Sequence, residues 1–289
     1  MESEIRRPTK IIRLRVFLNR LKRRKTAILG LVISLFIISL AVIGIFYSPR
    51  DPDYTDLNAH LLPPSPEYPF GTDWLGRDLV SRILSGARIT LAVGACCVVV
   101  SFLIGAPLGL FSGYYRGLLD TLMMRIVDIM LAFPGILLMM IILSILGPGI
   151  NNVIVAVAIW SVPSYARITR GVVLSIRENE YVHSARGLGA SDLRIMFRHI
   201  LPNVIPSLIV LSTLQMPTAI LDTAALSFLG FGVQPPTAEW GAMLSQSRPY
   251  MAQSWWTTTF PGLMIFLIVL ALNLLGDGLR DALDPRLKL

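Results

Sequence analysis

The stretch EYVHSARGLGASDLRIMFRHILPN (residues 180–203) is a polar island in an apolar neighbourhood. Five of its side chains are basic or can become so: His183, Arg186, Arg194, Arg198 and His199. Residues 175–188 read as a helix ended by Gly187 or Gly189, either of which can take the left-handed cap conformation. Ser191 or Asp192 can then N-cap a second helix over 193–200, closed by Pro202. Leu193, Met196, Phe197 and Ile200 share one face of that helix, and Arg194 and Arg198, four apart, share another. The expected form is helix, glycine turn, helix, with an apolar ridge beside basic residues. Two uses fit it: a knob inserted into the groove of a soluble partner, or a pair of helices resting on a lipid surface.

The surrounding composition decides the solvent. The chain has 289 residues, of which 54% are hydrophobic and 15% charged, and its mean hydropathy is +0.64. A water-facing domain carries about 25% charged residues, so the chain reads as an integral membrane protein. Its formal net charge is +8, yet ten of the 26 lysines and arginines fall within the first 25 positions and stop where the first apolar run begins. That distribution reads as a cytoplasmic anchor and not as nucleic-acid binding, which would set aromatic residues or a known module among the charges. The first apolar stretch exceeds the roughly 7–15 residues of a signal-peptide core and no small-residue cleavage site follows, so it reads as a retained span.

A membrane-crossing helix needs about 20 mainly apolar residues. Six candidates satisfy this, at 27–47, 89–114, 119–146, 153–173, 204–225 and 257–276. The turn GPGINN separates the third from the fourth, and Pro134, Pro163 and Pro217 are expected to bend the third, fourth and fifth. The expected division is a basic N-terminal segment (1–26), a first span (27–47), an outer loop (48–88), a five-helix core (89–283) containing the loop 175–203, and a short tail (284–289). With the N-terminus inside, the inner segments hold the basic N-terminus, Arg116, the arginines from 177 to 198, Arg280, Arg286 and Lys288. The outer segments hold Arg50, Arg77, Arg82 and Arg248 among seven acids. Both termini are therefore expected on the cytoplasmic side.

Two outer segments carry internal pattern. In residues 63–88, Leu75, Leu79, Ile83 and Leu84 recur at helical spacing against Arg77, Asp78 and Arg82, which predicts an interfacial amphipathic helix. Residues 226–248 combine Gly and Pro punctuation with Trp240, suited to a membrane interface. Asp73, Arg77, Asp78 and Trp240 are candidates for docking a partner on that side; interfacial packing is the alternative. Within the spans, Arg125 and Asp128 are three apart and expected to pair, and Asp222 has no neighbour in sequence to pair with. All three are candidates for a translocation pathway, Asp222 foremost. Gly94, Ala95, Gly105 and Gly109 allow close helix contact in the second span.

Several chemistries are excluded. Cys96 and Cys97 are adjacent, point about 100° apart on a helix, and make a poor metal site, so no metal is expected. None of the four lysines follows a glycine, so there is no Walker A loop. No nucleophile–base set suggests an enzyme, and no inverted repeat suggests an ion-coupled transporter.

The polar island resembles the EAA loop of binding-protein-dependent ABC importer permeases, whose pattern is E-A-A-x3-G-x9-I-x-L-P. His183, Ser184 and Ala185 stand at E-A-A, Gly189 at the glycine, His199 at the isoleucine, and Leu201 and Pro202 at L-P. The form found in peptide-type permeases, EYVxAARxLGASxxRIxxRHILPN, fits more closely. FGTDWLGRDLVSRILSGARITL (70–91), ALSFLGFGVQPPTAEWGAML (225–244) and DIMLAFPGILL (128–138) are similar to elements of the C-type subunit of dipeptide, oligopeptide and nickel importers, in the same order.

The resemblance implies an all-α, six-span type I permease fold in a prokaryotic inner membrane. It implies a second homologous permease subunit, two ATPase subunits that bind ATP and Mg, and an extracytoplasmic substrate-binding protein. The chain itself would carry no cofactor and contact lipid. The coupling residues implied are Glu180, His183, Ser184, Ala185, Gly189, Leu193, Arg194, Met196, Phe197, Leu201 and Pro202. Gly189 would set the angle between the loop helices, and Leu193, Met196 and Phe197 would fill a groove of the ATPase. Peptide is the expected substrate, among alternatives that include nickel chelates, glutathione and oligosaccharides.

Overall fold

The computed structural model describes residues 24–283. All but the last three residues of the expected basic segment 1–26, and the tail with Arg286 and Lys288, lie outside the described residues. Among the described residues the chain is helical, with one isolated antiparallel bridge between Thr72 and Asp78. The helices are α1 (Lys25–Phe46), α2 (Leu79–Tyr115), α3 (Gly117–Ala132), α4 (Gly135–Leu146), α5 (Ile150–Ile176), α6 (Glu180–Gly187), α7 (Asp192–Phe228), α8 (Trp240–Ser247) and α9 (Trp256–Leu283). Five of them, α1, α2, α5, α7 and α9, are long and apolar enough to cross a membrane.

The sixth span exists only as a bent pair. The expected single helix over 119–146 is instead α3 and α4, set 96° apart. At 16 and 12 residues, they reach about 24 and 18 Å, and neither alone crosses a core of about 30 Å. Pro134 explains the break. Its ring disfavours helical geometry at the preceding Phe133, which is extended, and Pro134 itself stands at the N-cap of α4. Pro163 and Pro217, by contrast, lie inside uninterrupted helices.

Close packing of α2 on α5 forms the centre of the bundle. A Cβ on Gly109 would lie 2.3 Å from the Ala166 carbonyl oxygen, and one on Gly105 would lie 2.5 Å from Tyr165 Cβ. No side chain fits there, so the glycines set the helix separation. The expectation for span two holds at both positions.

At 37 residues, α2 is about 55 Å long and overshoots the hydrocarbon layer. Its first turns are the segment expected to be a separate interfacial helix. They are instead continuous with the span, begun by Asp78, whose carboxylate accepts from the Ser81 amide at 2.8 Å. The bundle thus has two dissimilar ends: a cap end, built from residues 48–78 and 229–255, and a loop end, built from residues 177–200.

Candidate functional site

The loop end starts where α5 stops at Ile176. The helix expected over 175–188 is broken at residues 177–179, where the Arg177 guanidinium donates to the Tyr114 carbonyl at the end of α2. The following α6 is closed by a double hydrogen bond: the Gly189 amide donates to the Arg186 carbonyl at 3.0 Å and the Ala190 amide to the Ala185 carbonyl at 3.1 Å. This is a Schellman cap, and it requires a left-handed residue at Gly189, whose φ is +80°. Gly187 stays inside the helix.

The second loop helix does not close at Pro202. It passes through a π-helical turn, Ile195–Ile200, and runs on to Phe228. In that turn the Leu201 amide reaches back five residues to the Met196 carbonyl, while Asn203 Nδ2 donates to the His199 carbonyl at 2.7 Å. The wider turn lets the helix carry Leu201 and Pro202 without ending, since the missing proline amide falls where the ladder is already reset. The loop is therefore the rigid extension of a membrane helix.

The π turn also re-sorts the expected ridge. Met196 is 0% exposed and packs with Ile195 and Ile200 against Tyr114, Tyr165, Val182 and Val204. Burial of this kind stabilises by roughly 1.5–3 kcal/mol per side chain, so Met196 anchors the loop from within and cannot fill a partner's groove. Leu193 and Phe197 do point outward, Phe197 being 52% exposed, and Leu188 joins them at 89%.

Tyr114 ties the two loop arms to α2, a role that the sequence did not disclose. Its hydroxyl donates to Asp192 Oδ1 at 2.5 Å and accepts from Arg186 Nη2 at 3.2 Å. The hydrogen bond to this hydroxyl holds the Arg186 guanidinium above its ordinary pKa. The only sequence signal was a tyrosine at the polar end of a span, which is ordinary for an interface. Beside it, Arg116 meets Glu178 at 2.7 Å, and His183, at the position of the family glutamate, lies 3.8 Å from Glu178. Glu180 begins α6, where a negative charge suits the helix dipole. Ser184 is exposed and accepts the Leu188 amide through its carbonyl, and Ala185, Arg194, Arg198 and His199 border one hollow with Leu188, Gly189 and Ala190.

The pathway candidates separate. Asp128 pairs with Arg167 of α5 at 2.7 Å, not with Arg125, which is exposed and has no acidic partner among the described residues. A second link between the same helices was not foreseen: Asp120 accepts from Arg170 Nε and Nη2, each at 2.6 Å, and from the Ser112 hydroxyl. These ion pairs strap α3 to α5. Asp222 stands apart, half-buried on α7, with Oδ2 enclosed and without a hydrogen-bond partner.

At the cap end the four docking candidates turn out to be interior. Asp73 accepts from Arg77 Nε at 2.7 Å and lies 3.5 Å from Arg82 Nε; Arg77 is 2% exposed and Arg82 1%. Arg77 also donates to Gln246 at 3.1 Å and Arg82 to the Pro52 carbonyl at 2.9 Å. Asp78 is spent on capping α2. Trp240 is fully buried, its indole donating to the Ile83 carbonyl at 3.1 Å. Glu239 caps α8 through the amides of Gly241 and Ala242, and burial pushes its pKa up against their pull. The charged face expected to meet a partner is folded inward, where Asp73 pairs with Arg77 and Arg82 and Asp78 is taken up by the start of α2.

Comparison with known proteins now bears on this geometry. A family model described as "Binding-protein-dependent transport system inner membrane component" matches residues 105–289. The chain belongs to that family. A second model, "N-terminal TM domain of oligopeptide transport permease C", matches residues 13–64 of this permease. It is 47% identical over 281 residues to the di/tripeptide transport system permease protein DppC of Pseudomonas aeruginosa, covering 95% of this chain and 93% of the relative. It is 48% identical over 279 residues to the glutathione transport system permease protein GsiD of Escherichia coli, covering 94% and 90%. A solved structure of the MetNI methionine ABC transporter matches 70% of the permease and 97% of its own chain, with a TM-score of 0.58 at 22% identity; this likeness concerns the fold. The resemblance read from the polar island and the expected type I importer permease fold are borne out.

Proposed function

We propose that this permease is one of two homologous subunits enclosing the pathway of an ATP-driven peptide importer, with the 177–200 loop as its attachment to an ATPase. The observation that carries the proposal is the build of the loop: an outward apolar edge of Leu188, Leu193 and Phe197 on a support joined rigidly to α2 and continuous with α7. ATP, with Mg, would draw two ATPase subunits together and move the docked loops. Because the loop is an extension of α7 and is tied to α2 through Tyr114, that movement would tilt both spans as rigid bodies. Hydrolysis would belong to the partner subunits.

In this reading the loop end and both termini face the cytoplasm, and an extracytoplasmic binding protein delivers substrate at the cap end. Asp222 would line the pathway. The straps Asp128–Arg167 and Asp120–Arg170 would keep the bent pair in place. Relatives named for di/tripeptides and for glutathione, itself a small peptide, favour a short peptide as substrate. The test is uptake of labelled dipeptide and labelled glutathione by cells carrying the complete transporter. Uptake of either that is lost on deletion of this chain supports the proposal, and uptake of neither refutes the peptide assignment.

A further inference from the structure

Arg194, Arg198 and His199 share a hollow of about 390 Å³ on the loop, bordered by Ala185, Leu188, Gly189 and Ala190. Neither arginine has a carboxylate within 4.0 Å among the described residues. Asp192, two residues from Arg194, is already engaged by Tyr114, and Glu178 by Arg116. The hollow is thus cationic, walled by small residues, and rimmed by Leu188, which is almost fully exposed.

Those features act together. In water, two exposed guanidiniums need no partner. A surface that covers Leu188, Leu193 and Phe197 also covers the hollow and strips water from both arginines. Removing water from an unpaired charge is strongly unfavourable, whereas supplying a counter-charge recovers most of the loss. A planar guanidinium is best satisfied by a carboxylate, which it can hold through two parallel hydrogen bonds. The small residues Ala185, Gly189 and Ala190 leave room for a side chain to enter.

We infer that the ATPase subunit seated on this loop inserts an acidic side chain, Asp or Glu, into the hollow, where Arg194 and Arg198 bind it. The inference rests on the proposed role of the loop as the ATPase attachment. It adds the chemistry of the contact: an acid of the partner between two arginines, framed by apolar residues.

The test uses the assembled transporter and a water-soluble carbodiimide, which joins a lysine amine to a carboxylate as an amide while the reagent takes up the water as a urea. The chain's four lysines are at positions 10, 22, 25 and 288, none of them in the loop, so the wild-type loop is silent. Arg194→Lys and Arg198→Lys each place one reactive amine in the hollow and keep its charge. The expected result is a permease–ATPase conjugate in at least one variant, mapped by mass spectrometry from position 194 or 198 to an Asp or Glu of the ATPase. In addition, the double variant Arg194→Glu/Arg198→Glu should reduce ATPase copurification at least about tenfold, as opposed like charges do in a covered contact.

An ATPase that copurifies with both lysine variants yet gives no conjugate at either position overturns the inference while leaving the attachment role standing. A conjugate to the carboxylate of phosphatidylserine instead would also overturn it, assigning the hollow to the membrane surface. Failure of any ATPase to copurify with the wild-type chain would remove the attachment role itself, and the inference with it.

Discussion

The two ends of the bundle treat charge in opposite ways. At the cap end Asp73, Arg77, Arg82 and Glu239 are drawn inside, bonded to one another, to backbone and to helix termini. At the loop end Arg194 and Arg198 stand outside with no carboxylate partner among the described residues. Apolar side chains are displayed at both ends, Leu57, Met251 and Trp255 at the cap and Leu188, Leu193 and Phe197 on the loop, but only on the loop do they stand beside this pair of open arginines. A charge that is satisfied internally holds a shape together, and one left open beside displayed apolar surface is available to another molecule. By that criterion the buried Asp73–Arg77–Arg82 network is scaffold, and the open arginines of the loop are the surface available to a partner.

Substitutions can break this contrast, and their expected effects on stability descend from cap to loop. Asp73→Ala leaves buried Arg77 without a carboxylate and Arg82 with only Asp53, at 3.4 Å, and should cost about 3–5 kcal/mol. Its thermal midpoint in detergent should fall far below that of the unsubstituted permease, and an unchanged midpoint would show that the cap network is dispensable. Tyr114→Phe removes a hydroxyl serving both Asp192 and Arg186, with an expected cost of about 1–3 kcal/mol. That loss should be local, seen as faster hydrogen exchange over residues 180–200 with the cap end unaltered. Gly189→Ala should cost about 1–2 kcal/mol from the left-handed backbone alone, since a Cβ there meets nothing within 4 Å. Gly189→Asn should cost less, asparagine tolerating that conformation, and equal midpoints for the two variants would dismiss the backbone explanation.

The same contrast explains what could be read in the sequence. Spans were legible because twenty-residue apolar runs have few other uses, and the glycine break was legible because few residues besides glycine accept the conformation that a Schellman cap needs. The inward turn of Arg77 and Arg82 was not. Helical spacing reveals that a segment has two faces but not which one is covered, and the covering residues, Pro236, Trp240 and Gln246, lie about 150 or more positions away. Arg125 and Asp128 failed as a pair for a related reason: a neighbour on the same helix lost to Arg167 on another. Met196 was misplaced because spacing of an ordinary helix was applied across a π turn. Local rules held where the chain's own backbone decided the outcome and lapsed where distant segments did.

In the proposed function, the displayed edge of the loop conveys ATP-driven movement to the spans. Phe197→Asp tests it most directly, because Phe197 is half exposed and contributes little to the folded permease alone. The measurement is substrate-stimulated ATP hydrolysis by the complete transporter in liposomes, alongside the thermal midpoint of the isolated permease. Stimulation should be abolished while the midpoint stays within a few degrees of the unsubstituted protein, about the shift of 1 kcal/mol. Stimulation at the unsubstituted level, with the variant fully incorporated, would contradict it.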